Sequence, residues 1–349
     1  MDPIEFKSLL VFDTCSVLDA LGVMDKASTK IVLVINDNSQ LLGTLTDGDV
    51  RRGLIKGISL ESPVNKVMKT DYNFVYLENV GRAENEIRDS SLNKLPVLDR
   101  DHRVVGLLVT SQSKAEIVHD NAIVIMAGGK GKRLWPYTKD CPKPMLLVDD
   151  KPILEILINQ CKENGFKNIY LSVNYLKEVI IDYFGDGSRW GLNISYLIED
   201  IPLGTAGSLK MLPKQIDKPF LVMNGDVLTK IELRKVLEFH QDHKADATIC
   251  VRHHEVSVPF GVVETNGTRL SQFSEKPIYS YLVNAGVYVL NPSILDIIKY
   301  NHVVDMPDVL EKAKNYRLDV HVCPIHEYWI DVGVPETMKE ANQTWKNAT

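Results

Sequence analysis

The stretch Met126-Ala-Gly-Gly-Lys-Gly-Lys-Arg-Leu-Trp-Pro-Tyr-Thr-Lys-Asp-Cys-Pro-Lys-Pro-Met145 decides how the chain reads. An apolar run over 122–126 leads into it with the pattern of a buried strand. Residues 152–166 follow with apolar side chains at helical spacing. The glycines therefore lie in a loop leaving a strand, where backbone without Cβ atoms can approach an anion closely. Two common phosphate loops are excluded. Gly-x-x-x-x-Gly-Lys-Ser/Thr fails because Arg133 stands where the hydroxyl belongs, and Gly-x-Gly-x-x-Gly fails at Leu134. What remains is Gly-Gly-x-Gly-x-Arg-Leu-x-Pro, then Pro-Lys-Pro.

Downstream, strand-like runs at 122–126, 168–173, 194–198 and 220–223 alternate with helical patterns at 152–164, 176–184, 205–212 and 231–243. This alternation predicts an α/β domain with a Rossmann-like, mostly parallel sheet under covering helices. Ligands of such sheets bind beyond the carboxyl ends of strands. Asp226 follows the apolar run 220–223 at such an end. A further strand is expected at 259–264, another at 283–288, and a closing helix at 336–345. Adjacent His253 and His254 would point to opposite faces of a strand, so they read as surface residues and not as a shared metal site.

Upstream lies a repeat. Residues 30–49 and 94–109 each give an apolar run, an Asx-rich turn and a second apolar run, with Gly43 and Gly106 in matching places. A helix-like segment precedes each copy, at 16–27 and 79–91. Val17, Leu18, Leu21 and Met24 fit one face of the first. The polar segment 111–120 reads as a linker. The expected organisation is a module over 1–115 and a domain over 121–349.

Composition narrows the class. The formal charge of −6 argues against a nonspecific binder of nucleic acid or acidic membrane. No apolar run is long enough to span a bilayer, and the first residues lack the regions of a signal peptide. The five cysteines are scattered without a Cys-x-x-Cys pair, so neither a zinc site nor a disulfide framework is indicated. A cytoplasmic protein is expected.

The glycine-rich loop with its Pro-Lys-Pro resembles the signature of the sugar-nucleotidyltransferase family, enzymes that join a nucleoside triphosphate to a sugar 1-phosphate. The resemblance implies a role for each matching residue. Ala127, Gly128, Gly129 and Gly131 would cradle the nucleotide. Arg133 would hold the triphosphate and promote departure of pyrophosphate, and Lys143 would contact the phosphate under attack. Gly204 and Thr205, in Leu203-Gly-Thr-Ala-Gly207, would lie against the base, with Thr205 a candidate N-cap. Asp226 and Asp331 would hold Mg²⁺. Gly261, Glu275 and Asn284 would border the sugar, and Lys276 would hold its phosphate. Leu-Gly-Thr-Ala-Gly looks closer to the guanylyl branch than to the uridylyl or thymidylyl branches, although the adenylyl branch begins similarly.

The repeat resembles a tandem pair of cystathionine-β-synthase (CBS) domains. There, Gly43-x-x-Thr46-x-x-Asp49 would hold the ribose of an adenine nucleotide effector. The second copy departs from this pattern, with Val109 and Gln112 in the matching places. Many such pairs serve dimerisation without a ligand, so the resemblance implies a homo-oligomer as well. The two blocks together are similar to bacterial guanylyltransferases of legionaminic-type nonulosonic acid pathways, which implies GTP and glucosamine 1-phosphate as substrates. Mannose 1-phosphate or another hexose 1-phosphate is the alternative acceptor. Two other classes stay open: a nucleotide sensor with an inactive transferase half, and an enzyme of the same fold joining CTP to phosphocholine.

Overall fold

The computed structural model describes residues 6–27, 31–80, 94–109 and 118–347. The chain forms two compact units, one over 1–117 and one over 118–348.

The first unit carries two three-stranded sheets of one plan. In the first, Leu10–Phe12 runs parallel to Ile31–Ile35, which pairs antiparallel with Leu41–Thr46. In the second, Val75–Tyr76, Lys94–Leu98 and Val104–Val109 repeat that arrangement. Ile31 faces Thr46 and Lys94 faces Val109. Val34 faces Gly43 and Val97 faces Gly106, and both ladders shift register at the next residue. All these positions match at one offset of 63 residues (Ile31 to Lys94, Gly43 to Gly106). The turns match too. Asn36 Oδ1 accepts from the Asn38 and Gln40 amides, and Asp99 Oδ1 from those of Asp101 and Arg103. The two turns then exchange bonds, Leu41 N–H to His102 O (3.0 Å) and Val104 N–H to Ser39 O (3.1 Å).

The first helix is Val17–Ala27. Its buried stripe is Val17, Ala20, Leu21 and Met24, whereas Leu18, expected on that face, is 49% exposed. Positions 17, 20, 21 and 24 follow i, i+3, i+4, i+7, and Leu18 lies one step round the helix from them. Most of the expected helix 79–91, residue Gln112 and most of the linker 111–120 lie outside the described residues.

The second unit is built on a seven-stranded mixed sheet. Its order is Asn193–Ile198, Phe166–Val173, His119–Met126, Phe220–Asn224, Ile278–Leu290, Ala247–Ser257, Val320–Ile325. The first four strands are mutually parallel. Ile278–Leu290 runs antiparallel to both its neighbours, and Val320–Ile325 is parallel to Ala247–Ser257. Ile123, Ile125, Leu221 and Met223 face one side, where helices Ile153–Glu163, Lys177–Phe184 and Leu233–Asp242 pack. Val124, Val222 and Tyr288 face the other, against helix Met306–Asn315. Apolar side chains on both faces explain the unbroken apolar run at 122–125. The expected closing helix is Pro335–Thr344.

Two expected elements differ. The helix expected at 205–212 is a short 3₁₀ turn, Gly207–Met211. Pro213 follows, and a residue before proline is disfavoured in the helical region; Leu212 is extended at ψ 143°. The strand expected at 259–264 is Val262–Asn266, hairpinned with Arg269–Ser274. Pro259 can donate no ladder bond, so the chain turns before pairing resumes.

Candidate active site

The strands His119–Met126 and Phe220–Asn224 end side by side, with Met126 opposite Asn224. From the first, the chain winds outward through Phe166–Val173 and Asn193–Ile198. It then returns to place Phe220–Asn224 on the other flank. The strand order reverses here, and such a switch point opens a crevice beyond the strand ends. Gly225 closes its floor: the Gly225 amide donates to Met126 O (2.9 Å), and a Cβ on Gly225 would lie 2.5 Å from that oxygen. No larger residue fits.

The glycine-rich loop leaves Met126 into this crevice. Ala127 is buried, Gly128 packs against Asn174, and Gly129 is exposed. Gly131 turns the loop with φ 60° and opens a 3₁₀ turn that carries Arg133. Thr138, fully buried, donates its hydroxyl to Gly131 O (2.9 Å) and pins the return of the loop. Nothing in the motif singles out Thr138, and only the folded loop reveals it.

Lys143 is 7% exposed, and its ammonium pairs with Asp226 Oδ2. Taken without the glycine-rich loop upstream, a lysine between prolines would read as solvent-facing. Burial here is imposed by the carboxylate beyond the neighbouring strand. Asp226 and Asp331 come together through a short ladder. Val227–Thr229 pairs with Trp329–Asp331, Val227 lies opposite Asp331, and the Val332 amide donates to Asp226 O (2.9 Å). Asp331 is exposed by surface area, yet the protein packed around it, then the Asp226 carboxylate, push its carboxyl above the usual aspartate range, while Lys143 and Arg133 pull it down. Arg133 reaches the same place. A Cβ on Gly333 would sit 3.1 Å from Asp331 Oδ1 and 3.6 Å from Arg133 Nη2. Gly333 thus leaves room for both. The structure therefore gathers Arg133, Lys143, Asp226 and Asp331 at the switch point.

These groups fit a divalent cation. Two carboxylates supply hard oxygen donors, the type Mg²⁺ prefers, and their mutual repulsion is what a cation would relieve. Lys143 holds one of the oxygens in the meantime.

The loop over 199–206 is organised by Glu199, 5% exposed. Its Oε1 accepts from the Ser172 hydroxyl and its Oε2 from the Leu203 amide (2.8 Å). Gly204 has φ 79°, and a Cβ there would meet Val304 O at 2.6 Å. Thr205 is not the cap of its own 3₁₀ turn, which starts after Ala206. Its amide donates to Asp305 Oδ1 (2.9 Å), and its Oγ1 accepts from the Met306 amide (2.9 Å). It caps the helix Met306–Asn315, a partner a hundred residues away that local sequence cannot announce.

Of the residues expected to border a sugar, Gly261 and Glu275 are neighbours: a Cβ on Gly261 would lie 2.9 Å from Glu275 Oε2. Lys276 is exposed and has φ 44°. Asn284 lies on the strand next to Phe220–Asn224. Its Oδ1 accepts from the Gly286 amide (2.9 Å) and its Nδ2 donates to Tyr288 Oη (2.6 Å). Of these four, Asn284 alone is on a strand paired with the switch-point strand. His253 and His254 are both exposed.

In the first unit, the Thr46 amide and hydroxyl donate to Asp49 Oδ2 (2.9 and 2.6 Å), at the start of helix Asp47–Ile55. Arg52 donates to Asp49 Oδ1 (2.6 Å). Thr46 and Asp49 are thus together, as a helix cap.

Residues 122–348 match the family described as nucleotidyl transferase, and residues 7–56 match the CBS domain. The chain belongs to the nucleotidyl transferase family, with a CBS domain toward its N-terminus. A mannose-1-phosphate guanyltransferase of Yarrowia lipolytica is 35% identical over 225 residues, 61% of each chain. This chain therefore spans less than two thirds of that relative's length. A D-glycero-alpha-D-manno-heptose 1-phosphate guanylyltransferase of Aneurinibacillus thermoaerophilus is 33% identical over 223 residues, 63% of this chain and 96% of that one. Among solved structures, HddC from Yersinia pseudotuberculosis complexed with GMP-PN matches at 26% identity and a TM-score of 0.51, over 64% of this chain and 99% of that one.

Proposed function

We propose that this protein transfers the guanylyl group of GTP to a sugar 1-phosphate, releasing pyrophosphate. The observation that carries the reading is the convergence of Arg133, Lys143, Asp226 and Asp331 where the two parallel strands end. The guanine assignment draws on the guanylyltransferases among the relatives. The attacking group is an oxygen of the sugar phosphate. With a second pKa of ~6, that phosphate is already mostly a dianion at neutral pH, so no general base is needed. The work of the site is to position two anions in line and to offset charge on the leaving pyrophosphate. Lys143 would meet the α-phosphate and Arg133 the triphosphate, with the glycine-loop amides around them. Asp226 and Asp331 would hold Mg²⁺, which when bound neutralises phosphate charge. Glu275 and Asn284 would border the sugar, and Lys276 would take its phosphate as a point charge.

Glucosamine 1-phosphate is the acceptor favoured here, on the two-block resemblance. Mannose 1-phosphate is the second reading, favoured by the named activity of the Yarrowia relative. An adenine nucleotide at Thr46 and Asp49 would regulate the enzyme, and to bind there it must compete with the cap bonds of Asp49.

The test is a pyrophosphate-release matrix with Mg²⁺. It sets GTP, ATP, UTP, CTP and dTTP against glucosamine, mannose and glucose 1-phosphates, with phosphocholine as the non-sugar acceptor. The expected signal is GTP with glucosamine 1-phosphate. A signal confined to mannose 1-phosphate selects the second acceptor. Signal with phosphocholine alone, or silence throughout, sinks the reading.

A further inference from the structure

Asn224 is the last residue of the strand Phe220–Asn224, two positions before Asp226. No motif of the sequence assigns it a role. Its Oδ1 is buried and has no hydrogen-bond partner among the described residues. Buried amide oxygens are normally satisfied, because leaving one unpaired forfeits its hydration without a replacement. The neighbourhood is also shaped around this amide. Gly286 has φ 70°, and a Cβ there would lie 2.8 Å from Asn224 Nδ2 and 3.0 Å from its Cγ. The pairing of Met223 with Val287 carries Asn224 to the level of Gly286. The ladder is irregular between Asn284 and Tyr288, but the Asn284 Nδ2 bond to Tyr288 Oη puts the two side chains on one face of the sheet. Asn224 lies on that same face, since Val222 and Tyr288 pack in one cluster there. Were this position structural only, an apolar side chain like that of Val222 would fill it without an orphaned oxygen.

We propose that Asn224 is a specificity-determining residue that reads the acceptor sugar, its Oδ1 accepting one hydrogen bond from a sugar hydroxyl or amino group. This rests on the sugar 1-phosphate reading given above. The oxygen is an acceptor only, so it selects a donor on the ligand and cannot serve a phosphate oxygen. Its place between the Asp226 strand end and Asn284 suits a group on the sugar, not the base, whose loop is built by Glu199 and Thr205 beyond the other flank.

The experiment uses the full-length protein, GTP and Mg²⁺. The acceptors are the sugar 1-phosphate turned over fastest and its monodeoxy (or, for an amino sugar, deamino) analogues. For the wild type, one analogue is expected to lose about 10- to 100-fold in kcat/KM, the scale of one orphaned buried acceptor. In Asn224→Leu the parent sugar should fall by a similar factor, and that one analogue should no longer be discriminated. The KM for GTP should hold. Equal losses on every acceptor, or a change confined to the KM for GTP, would overturn the assignment. Should Asn224→Leu fail to fold by circular dichroism, the wild-type series decides: discrimination of less than about threefold at every position also overturns it. Failure of the underlying reading looks different, because the wild type would then turn over no sugar 1-phosphate at all.

Discussion

The parallel strands at the switch point are buried on both faces, whereas the antiparallel ribbon beside them loses its cover midway along its length. Residues 122–125 and 220–223 are all buried. In the strand Ile278–Leu290, residues 285–290 are buried, but Ile278, Tyr281 and Leu282 are each more than half exposed. The hairpin over 262–274 carries Leu270 and Phe273 outward at 65% and 59%. Lys143, Asp226 and Asp331 thus stand at the edge of a close-packed floor. Of the groups assigned to the sugar, Gly261, Glu275 and Lys276 flank an exposed hairpin with few packing constraints, whereas Asn284 stands in the sheet itself. The contrast teaches where each kind of change is tolerated. Phosphate chemistry needs positions fixed to a fraction of an ångström, while contacts added from an exposed hairpin can vary without disturbing the floor.

Substitutions can break or sharpen this contrast. The largest expected effect is on chemistry: Asp226→Ala should lower kcat on the order of 10²–10³-fold in saturating Mg²⁺, by analogy with lost transition-state charge contacts. Full activity in that variant would falsify the metal assignment. Next comes packing. Leu221→Ala removes a fully buried side chain and should cost about 2–5 kcal/mol in denaturant unfolding, whereas Leu270→Ala should stay within about 0.5 kcal/mol. Comparable losses at the two sites would erase the distinction. On the ribbon, Lys276→Ala should raise the KM for sugar 1-phosphate roughly tenfold through loss of one charged contact. The KM for GTP should hold, and if it rises equally the two sides are not separable. Thr205→Val removes a helix cap worth about 1 kcal/mol, a fall of roughly 2–4 °C in Tm, with Thr205→Ser restoring it.

The smallest effect concerns pH. His240 is buried, bonded to Thr248 Oγ1 (2.9 Å) and Asn291 Oδ1 (3.2 Å), and burial holds its pKa below the ordinary histidine value. The unfolded chain then binds the proton more readily than the folded one. Its contribution is complete above about pH 6.5 and is lost as pH falls through the depressed folded value. Thermal unfolding from pH 7.5 to 5 should therefore show a decline that His240→Gln flattens. An unchanged slope in the variant would assign the decline to other groups.

Much of this was legible in the sequence, and the gaps have a common cause. Buried parallel strands announce themselves as apolar runs, so the runs beginning at Ala122 and Phe220 were found to within a few residues. The carboxylate after the second run was found with them. The loop was legible because its glycines and Arg133 form a pattern that folding does not rearrange. Lys143 is legible as a site residue through the motif, but its burial against Asp226 is not, because that partner lies far along the chain. Thr205 was misread because its bonds go to Asp305 and Met306. Leu18 was misplaced because Ala20, a small residue with a weak apolar signal, completes the buried stripe. Asn224 went unremarked because an unpaired oxygen is a property of the surroundings and not of the residue.

The pairing of Lys143 with Asp226 has a consequence for how ligands arrive. At rest the site carries its own tethered counter-ion. Under the proposed function, a divalent cation arriving alone would have to displace that ammonium from its carboxylate, whereas one arriving with a triphosphate would offer the ammonium a phosphate in exchange. On that same reading, cation affinity should then rise when nucleotide is present, and thermodynamic reciprocity would require nucleotide affinity to rise with the cation by the same factor.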